Sequence, residues 1–211
     1  MRKYLTEFIG AFFLIFTIAL TVADGNPFAP LAIGAVLMVM VYMGGHVSGG
    51  HYNPAVSLAA MLRGALPARD FVPYVLAQLA GAIAAAALAG FLVDRTVAPV
   101  LGPQGSIGGG LVIELLFGFA LCLVVLSTAT SKRTAGNSYF GLAIGFTIVV
   151  AAYAGGPISG GAFNPAVGFG MGLVHRLMSG GEMGHVWIYV VGPLLGGALA
   201  AAVFRLQEAD A

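Results

Sequence analysis

Residues 32–59 and residues 143–170 align without a gap at an offset of 111, with 14 identities over 28 positions. Landmarks recur in order: Ile33 with Ile144, Tyr42 with Tyr153, Gly44 and Gly45 with Gly155 and Gly156, Ser48-Gly49-Gly50 with Ser159-Gly160-Gly161, and Asn53-Pro54-Ala55-Val56 with Asn164-Pro165-Ala166-Val167. Abundant glycine and alanine explain single coincidences but not an ordered block. The chain therefore carries an internal duplication and reads as a single domain over 1–211, with repeats at 1–95 and 110–205.

The surroundings of the repeated block limit what it can form. Of 211 residues, 59% are hydrophobic and 8% charged, whereas a soluble domain carries about 25% charged residues. That much apolar surface cannot be hidden inside one water-soluble globule, so the chain belongs in a bilayer. The same deficit argues against a nucleic-acid binder, a disordered regulator or a cytosolic enzyme, and a net charge of +1 offers no footing for a polyanion. With Cys122 as the one cysteine, neither an intrachain disulfide nor a Cys-rich metal site can form.

Six stretches, 4–22, 31–47, 71–93, 110–130, 139–156 and 185–204, approach the ~20 mostly apolar residues that a crossing needs. The first is expected to stay uncleaved. Its apolar run is long for a signal peptide, Glu7 interrupts its start, and Asp24-Gly25-Asn26-Pro27 resembles a turn. Arg2, Lys3, Arg63, Arg69, Lys132, Arg133 and Arg205 fall on one side of the spans, with only Arg95 and Arg176 on the other. Basic residues accumulate on the cytoplasmic side, so both termini are expected there. Two further stretches, 53–62 and 164–174, are helical in composition but only about 15 Å long at 1.5 Å per residue, and can enter a membrane without crossing it.

Each repeat holds three spans, an odd number, so the second inserts upside down relative to the first. Inverted repeats with broken helices place a polar site near the bilayer midplane. In each short helix Asn53 or Asn164 is a good N-cap, and Pro54 or Pro165 has the φ that a first turn wants and no donor to orphan. The preceding strips, 46–50 and 157–161, are expected to be irregular, which at that depth is tolerated only beside a cavity or within protein. Their carbonyls would form a ladder of acceptors. Two helix N-termini, each worth about half a positive charge, would meet at the centre beside the Asn53 and Asn164 amides. Such a path suits neutral hydrogen-bonding molecules and repels cations and protons.

Paired Asn-Pro-Ala motifs, each preceded by Ser-Gly-Gly in an inverted six-span repeat, make the chain resemble the aquaporin (major intrinsic protein) family over nearly its whole length. The resemblance implies an all-α membrane fold, with six transmembrane helices and two re-entrant half-helices. It also implies a passive channel, no cofactor, and a homotetramer with one pore per subunit. Glu7 and Glu114 match the family's buried glutamates that hold the re-entrant loops. The chain is short for the family, which leaves little room for a regulatory tail and leans towards a bacterial cytoplasmic membrane.

Departures from the family pattern are informative. Typical water-selective members place an arginine after the second motif, and with an aromatic residue and a histidine it forms the narrowest constriction. The matching positions here read Val167, Ile33 and Ala152, with Gly161 as the fourth. Loss of the guanidinium removes donors and charge, and Ala and Gly widen the opening. This predicts passage of solutes larger than water: glycerol, urea, hydrogen peroxide, ammonia or uncharged metalloid hydroxides such as arsenite. Some family members of broad permeability also carry Val after the second motif. Val190 stands where water channels tend to have a second aromatic beside Tyr189, while Gly168 replaces the acidic residue of typical glycerol channels. The marks point away from strict water selectivity without naming glycerol.

Other roles are open to several polar and glycine residues. His46 and His51 lack a third ligand nearby, so no metal site is expected and His51 is read as holding the first loop. His185 beside Trp187 suits a membrane interface, and His175 suits a half-helix end that favours a cation. Glu7 and Glu114 invite a proton relay, but their near-symmetric placement favours scaffolding. Glycine pairs Gly141 and Gly145, and Gly192 and Gly196, read as helix packing. A secondary transporter would need coupling-ion ligands that the spans lack, and an enzyme would need a nucleophile and base at defined spacing. Two alternatives stay open: a strictly water-selective channel, or a sealed-pore structural protein in which Phe163 or Tyr52 narrows the path.

Overall fold

A computed structural model describes residues 1–103 and 105–208. Among these, eight α-helices form in the order α1 (Arg2–Ala23), α2 (Ala29–Ser48), α3 (Pro54–Arg63), α4 (Ala68–Val93), α5 (Ile107–Ala129), α6 (Phe140–Ser159), α7 (Pro165–Ser179) and α8 (Val186–Glu208). All but α3 and α7 are long and apolar enough to cross a membrane. Even α7, at 15 residues, reaches only about 22 Å of the ~30 Å hydrocarbon thickness.

The duplication is visible as paired packing: α1 lies against α4 as α5 lies against α8, and α2 meets α6 between them. Small residues set these approaches, as expected where lipid offers no hydrophobic drive between helices. Gly34 of α2 and Gly145 of α6 face each other so closely that a methyl on either would strike the other's carbonyl oxygen. Gly81 of α4 lies on the backbone of Phe8 and Phe12, and Gly196 of α8 on that of Leu115 and Phe119. The half-helices cross over. Helix α3 packs chiefly on α8 and α7 chiefly on α4, so each is held by the other repeat.

Two expectations are corrected. Helix α2 continues to Ser48 and α6 to Ser159, so His46 and Pro157 are helical, and irregular backbone starts only at Gly49 and Gly160. The glycines just before do not break the turn. Gly49 N–H still donates to Gly45 O and Gly160 N–H to Gly156 O, each at 2.9 Å, and Pro157 sits in a last turn where its missing donor costs one bond. The second half-helix also outruns the expected 164–174. His175 is therefore inside α7, with Nδ1 2.8 Å from the Thr96 hydroxyl, instead of at the helix end.

Candidate functional site

After α2 and again after α6 the chain passes through two left-handed glycines, Gly49 and Gly50 (φ 90 and 64) or Gly160 and Gly161 (φ 89 and 69), and then a left-handed aromatic, Tyr52 (φ 50) or Phe163 (φ 48). Non-glycine residues seldom adopt this conformation, and such strain persists only where surroundings enforce it. Here a buried carboxylate does so. Glu7 accepts from the Ser48 hydroxyl (2.7 Å) and the N–H groups of His51 (3.0 Å) and Tyr52 (2.7 Å). Glu114 accepts from the Ser159 hydroxyl (2.7 Å) and the N–H groups of Ala162 (2.9 Å) and Phe163 (2.6 Å). Both glutamates are fully buried.

Each strip ends at an asparagine that caps a half-helix. Asn53 Oδ1 accepts from Ala55 N–H at 2.8 Å, and Asn164 Oδ1 from Ala166 N–H at 2.9 Å. Pro54 and Pro165 occupy the first helical position. Across the centre, Asn53 Nδ2 donates to Phe163 O and Asn164 Nδ2 to Tyr52 O, both at 3.0 Å. An amide nitrogen has two hydrogens, so each asparagine keeps one N–H without a partner among the described residues.

The carbonyls divide by the same logic. Those of Tyr52 and Phe163 are taken by the asparagines, and those of Ser48 and Ser159 by the hydroxyls of Tyr74 (2.8 Å) and Tyr189 (2.6 Å). Between them the carbonyls of Gly49, Gly50 and His51, and of Gly160, Gly161 and Ala162, accept no hydrogen bond from the described residues. Three open acceptors per loop flank two open donors.

The residues that carry these open groups, all but Gly49, border one cavity of about 200 Å³, room for several waters at about 30 Å³ each. Ile33, Ala152, Gly161 and Val167 all line it, as do His51, Asn53 and Asn164. Pro54, Ala55, Pro165 and Ala166 are buried behind it, in α3 and α7. Leu14 and Ile18 of α1, with Leu121 and Val125 of α5, form an aliphatic wall. Tyr52 does not narrow the path: its ring is fully buried against Gly10 and Gly44, and its hydroxyl donates to Met40 O at 2.8 Å. The Phe163 ring packs on Phe117, and the residue also borders the cavity.

Several members of this site escaped the sequence reading. The wall residues Leu14 and Ile18 precede Leu121 and Val125 by 107 positions, the spacing of Glu7 to Glu114, while Tyr74 and Tyr189 stand 115 apart, as do Gly81 and Gly196. Those offsets differ from 111, so a gapless comparison misses them.

The sequence profile of the family described as "Major intrinsic protein" matches residues 1–204. The chain belongs to the major intrinsic protein family. Aquaporins and aquaglyceroporins are channels of this family, and the chain is accordingly a multi-pass membrane protein with a channel architecture. It is 35% identical to "Probable aquaporin NIP-type" of Nicotiana alata, over 98% of this chain and 77% of the relative. Identity is 34% to "Glycerol uptake facilitator protein-like 6" of Lactiplantibacillus plantarum, over all of both chains. The aquaglyceroporin from Plasmodium falciparum superposes with a TM-score of 0.86 at 21% identity, covering 96% of this chain and 94% of that one, and so shares the fold of this major intrinsic protein.

Proposed function

We propose that the cavity is a passive pore for water and small uncharged solutes larger than water, with glycerol, urea, hydrogen peroxide, ammonia and neutral metalloid hydroxides such as arsenite as the candidate class. The observation that carries this reading is the set Ile33, Ala152, Gly161 and Val167 around the cavity: aliphatic or absent side chains that offer no charge and no side-chain donor. A relative named as a glycerol uptake facilitator supports the same direction. Ion and proton exclusion follows from the centre, where the N-termini of α3 and α7 and the two unpartnered asparagine N–H groups favour negative over positive charge. Glu7 and Glu114 are assigned to holding the loops, with His51 supporting the first. The basic residues gathered at one face orient both termini to the cytoplasm, in what we take to be a bacterial cytoplasmic membrane, and the assembly is assigned as a homotetramer with one pore per subunit.

Stopped-flow light scattering on proteoliposomes tests the substrate class. Fast shrinkage in sucrose followed by fast re-swelling in glycerol is expected. Fast shrinkage without re-swelling would make the pore strictly water-selective, and no acceleration over empty liposomes would make it sealed.

A further inference from the structure

The two re-entrant segments, 48–59 and 159–170, differ at five positions, two of which bear on one another. His51 and Ser57 in the first loop and half-helix are replaced by Ala162 and Gly168 in the second. A third difference lies one helical turn beyond the tyrosines that hold Ser48 O and Ser159 O, where α4 has Gln78 and α8 has Pro193. In the structure these three departures form one chain of contacts. Gln78 Nε2 lies 2.8 Å from Glu7 Oε2 and 2.9 Å from Ser57 Oγ, and Ser57 Oγ lies 3.1 Å from His51 Nδ1.

Donor counting fixes the direction of that chain. Glu7 already accepts from one hydroxyl and two backbone N–H groups, so the group beside it must be a donor, and Gln78 turns its NH₂ towards the carboxylate. Both Gln78 hydrogens are then committed, one to Glu7 and one to Ser57. The cost is visible: Gln78 Oε1 is the one fully occluded side-chain polar atom without a partner among the described residues. Reversing the amide would satisfy that oxygen only by facing it to a carboxylate. Ser57 Oγ, occupied as an acceptor by Gln78, has its own proton left to give, and His51 Nδ1 is the other side-chain partner it meets among the described residues. A neutral imidazole that accepts at Nδ1 carries its hydrogen at Nε2.

The Nε2 edge points away from this network. A side chain on Gly49 would come within 2.9 Å of Nε2, and Tyr74 covers the ring at 5.3 Å between centroids. His51 borders both the central cavity and the recess that opens beside the start of α1. Nε2 meets no hydrogen-bond partner among the described residues and is not among the occluded atoms.

We propose that Gln78, acting through Ser57, holds His51 in the Nε2–H tautomer, so that the imidazole presents a fixed donor to solute in the half of the pore nearest the start of α1. Resting on the pore reading above, this deepens it: Gln78 and Ser57 are positioning residues for permeation, and neither borders the cavity. In that half the open backbone groups are acceptors, Gly49 to His51, and the donor set beside them makes a pair matched to a hydroxyl, which both gives and receives. The other half has no counterpart, because Ala162, Gly168 and Pro193 cannot build one.

Solid-state NMR of [¹⁵N]histidine-labelled protein in liposomes, at a pH of about 8.5 where an ordinary imidazole is neutral, tests the tautomer directly, with His51→Phe identifying the signal. His51 should show a bare Nδ1 and a protonated Nε2 in the unaltered protein. Gln78→Leu frees Ser57 to accept and should shift the proton towards Nδ1. Ser57→Ala should remove the preference, and Ser57→Thr should restore it. Glycerol flux per channel should fall about fivefold in the first two variants, the worth of one hydrogen bond in the crossing barrier, and recover in the third. A protonated Nδ1 in the unaltered protein would overturn the proposal without any variant, as would spectra and flux unmoved by Gln78→Leu. Failure of the pore reading itself would appear separately, as absent flux in the unaltered protein beside an Nε2–H spectrum.

Discussion

Asn53 donates its side-chain amide to the main-chain carbonyl of Phe163 at 3.0 Å, although 110 residues separate them. With the reciprocal bond from Asn164 to Tyr52, it locks the two re-entrant loops together and ends each carbonyl ladder where the free amide hydrogens begin.

Replacing both asparagines by alanine removes two caps, worth ~1 kcal/mol each, both cross-loop bonds and the two free donors. Water and glycerol conductance should fall at least tenfold in protein that still elutes as a single folded species. Normal stopped-flow rates in such protein would exclude a permeation role for Asn53 and Asn164.

Val167→Arg puts a long charged group into the cavity beside Ile33 and Ala152. Glycerol re-swelling should be suppressed about tenfold or more while part of the water flux survives, since the guanidinium fills space and adds positive charge. Equal loss or equal retention of both fluxes would remove Val167 from the constriction.

Two glycine substitutions separate backbone demand from pore width. Gly160 has φ 89, and a methyl there would strike the backbone of Val100, so Gly160→Ala should cost about 1–3 kcal/mol and lower Tm. Gly156 lies in α6, borders the cavity and has nothing within 4 Å of an added methyl. Gly156→Ala should gain up to ~1 kcal/mol of helix propensity, keep or raise Tm, and slow glycerol more than water. Thermal unfolding and flux measured on the same preparations check both.

Glu114→Gln preserves shape but places an NH₂ among three donors, the Ser159 hydroxyl and the N–H groups of Ala162 and Phe163. At least one becomes a buried unsatisfied group, costing about 1–3 kcal/mol. Lower Tm and yield are expected, with Glu7→Gln behaving alike; an unchanged Tm would mean that the second loop is held by other contacts.

Much of this arrangement was legible in the sequence because the duplicated block names its own parts, the motif asparagines and the glycine strips, while Glu7 and Glu114, outside that block, were marked by the family resemblance. Positions counted from those motifs, Ile33, Ala152, Gly161 and Val167, all reach one cavity. The helix ends were less legible. Nothing in Gly-Gly-His-Val-Ser distinguishes a frayed strip from a helix that runs on to Ser48, since the deciding event is the left-handed turn at Gly49. Tyr52 looked able to narrow the path, but its ring fills the space left by the missing side chains of Gly10 and Gly44, a contact between distant helices. The roles of Gln78 and Ser57 depend on which hydrogen goes where, and this becomes countable only when the partners are adjacent.

The crossed seating of the half-helices has a consequence for how the protein is made. Helix α3 leaves the ribosome early, but its main dock, α8, is the last of the eight described helices to follow, so the first half of the pore must wait at the membrane until α8 arrives. A ribosome stalled before Val186 would leave α3 without its seat and the conduit unassembled. Until α8 is in place, the cell meets a set of inserted helices without an assembled conduit.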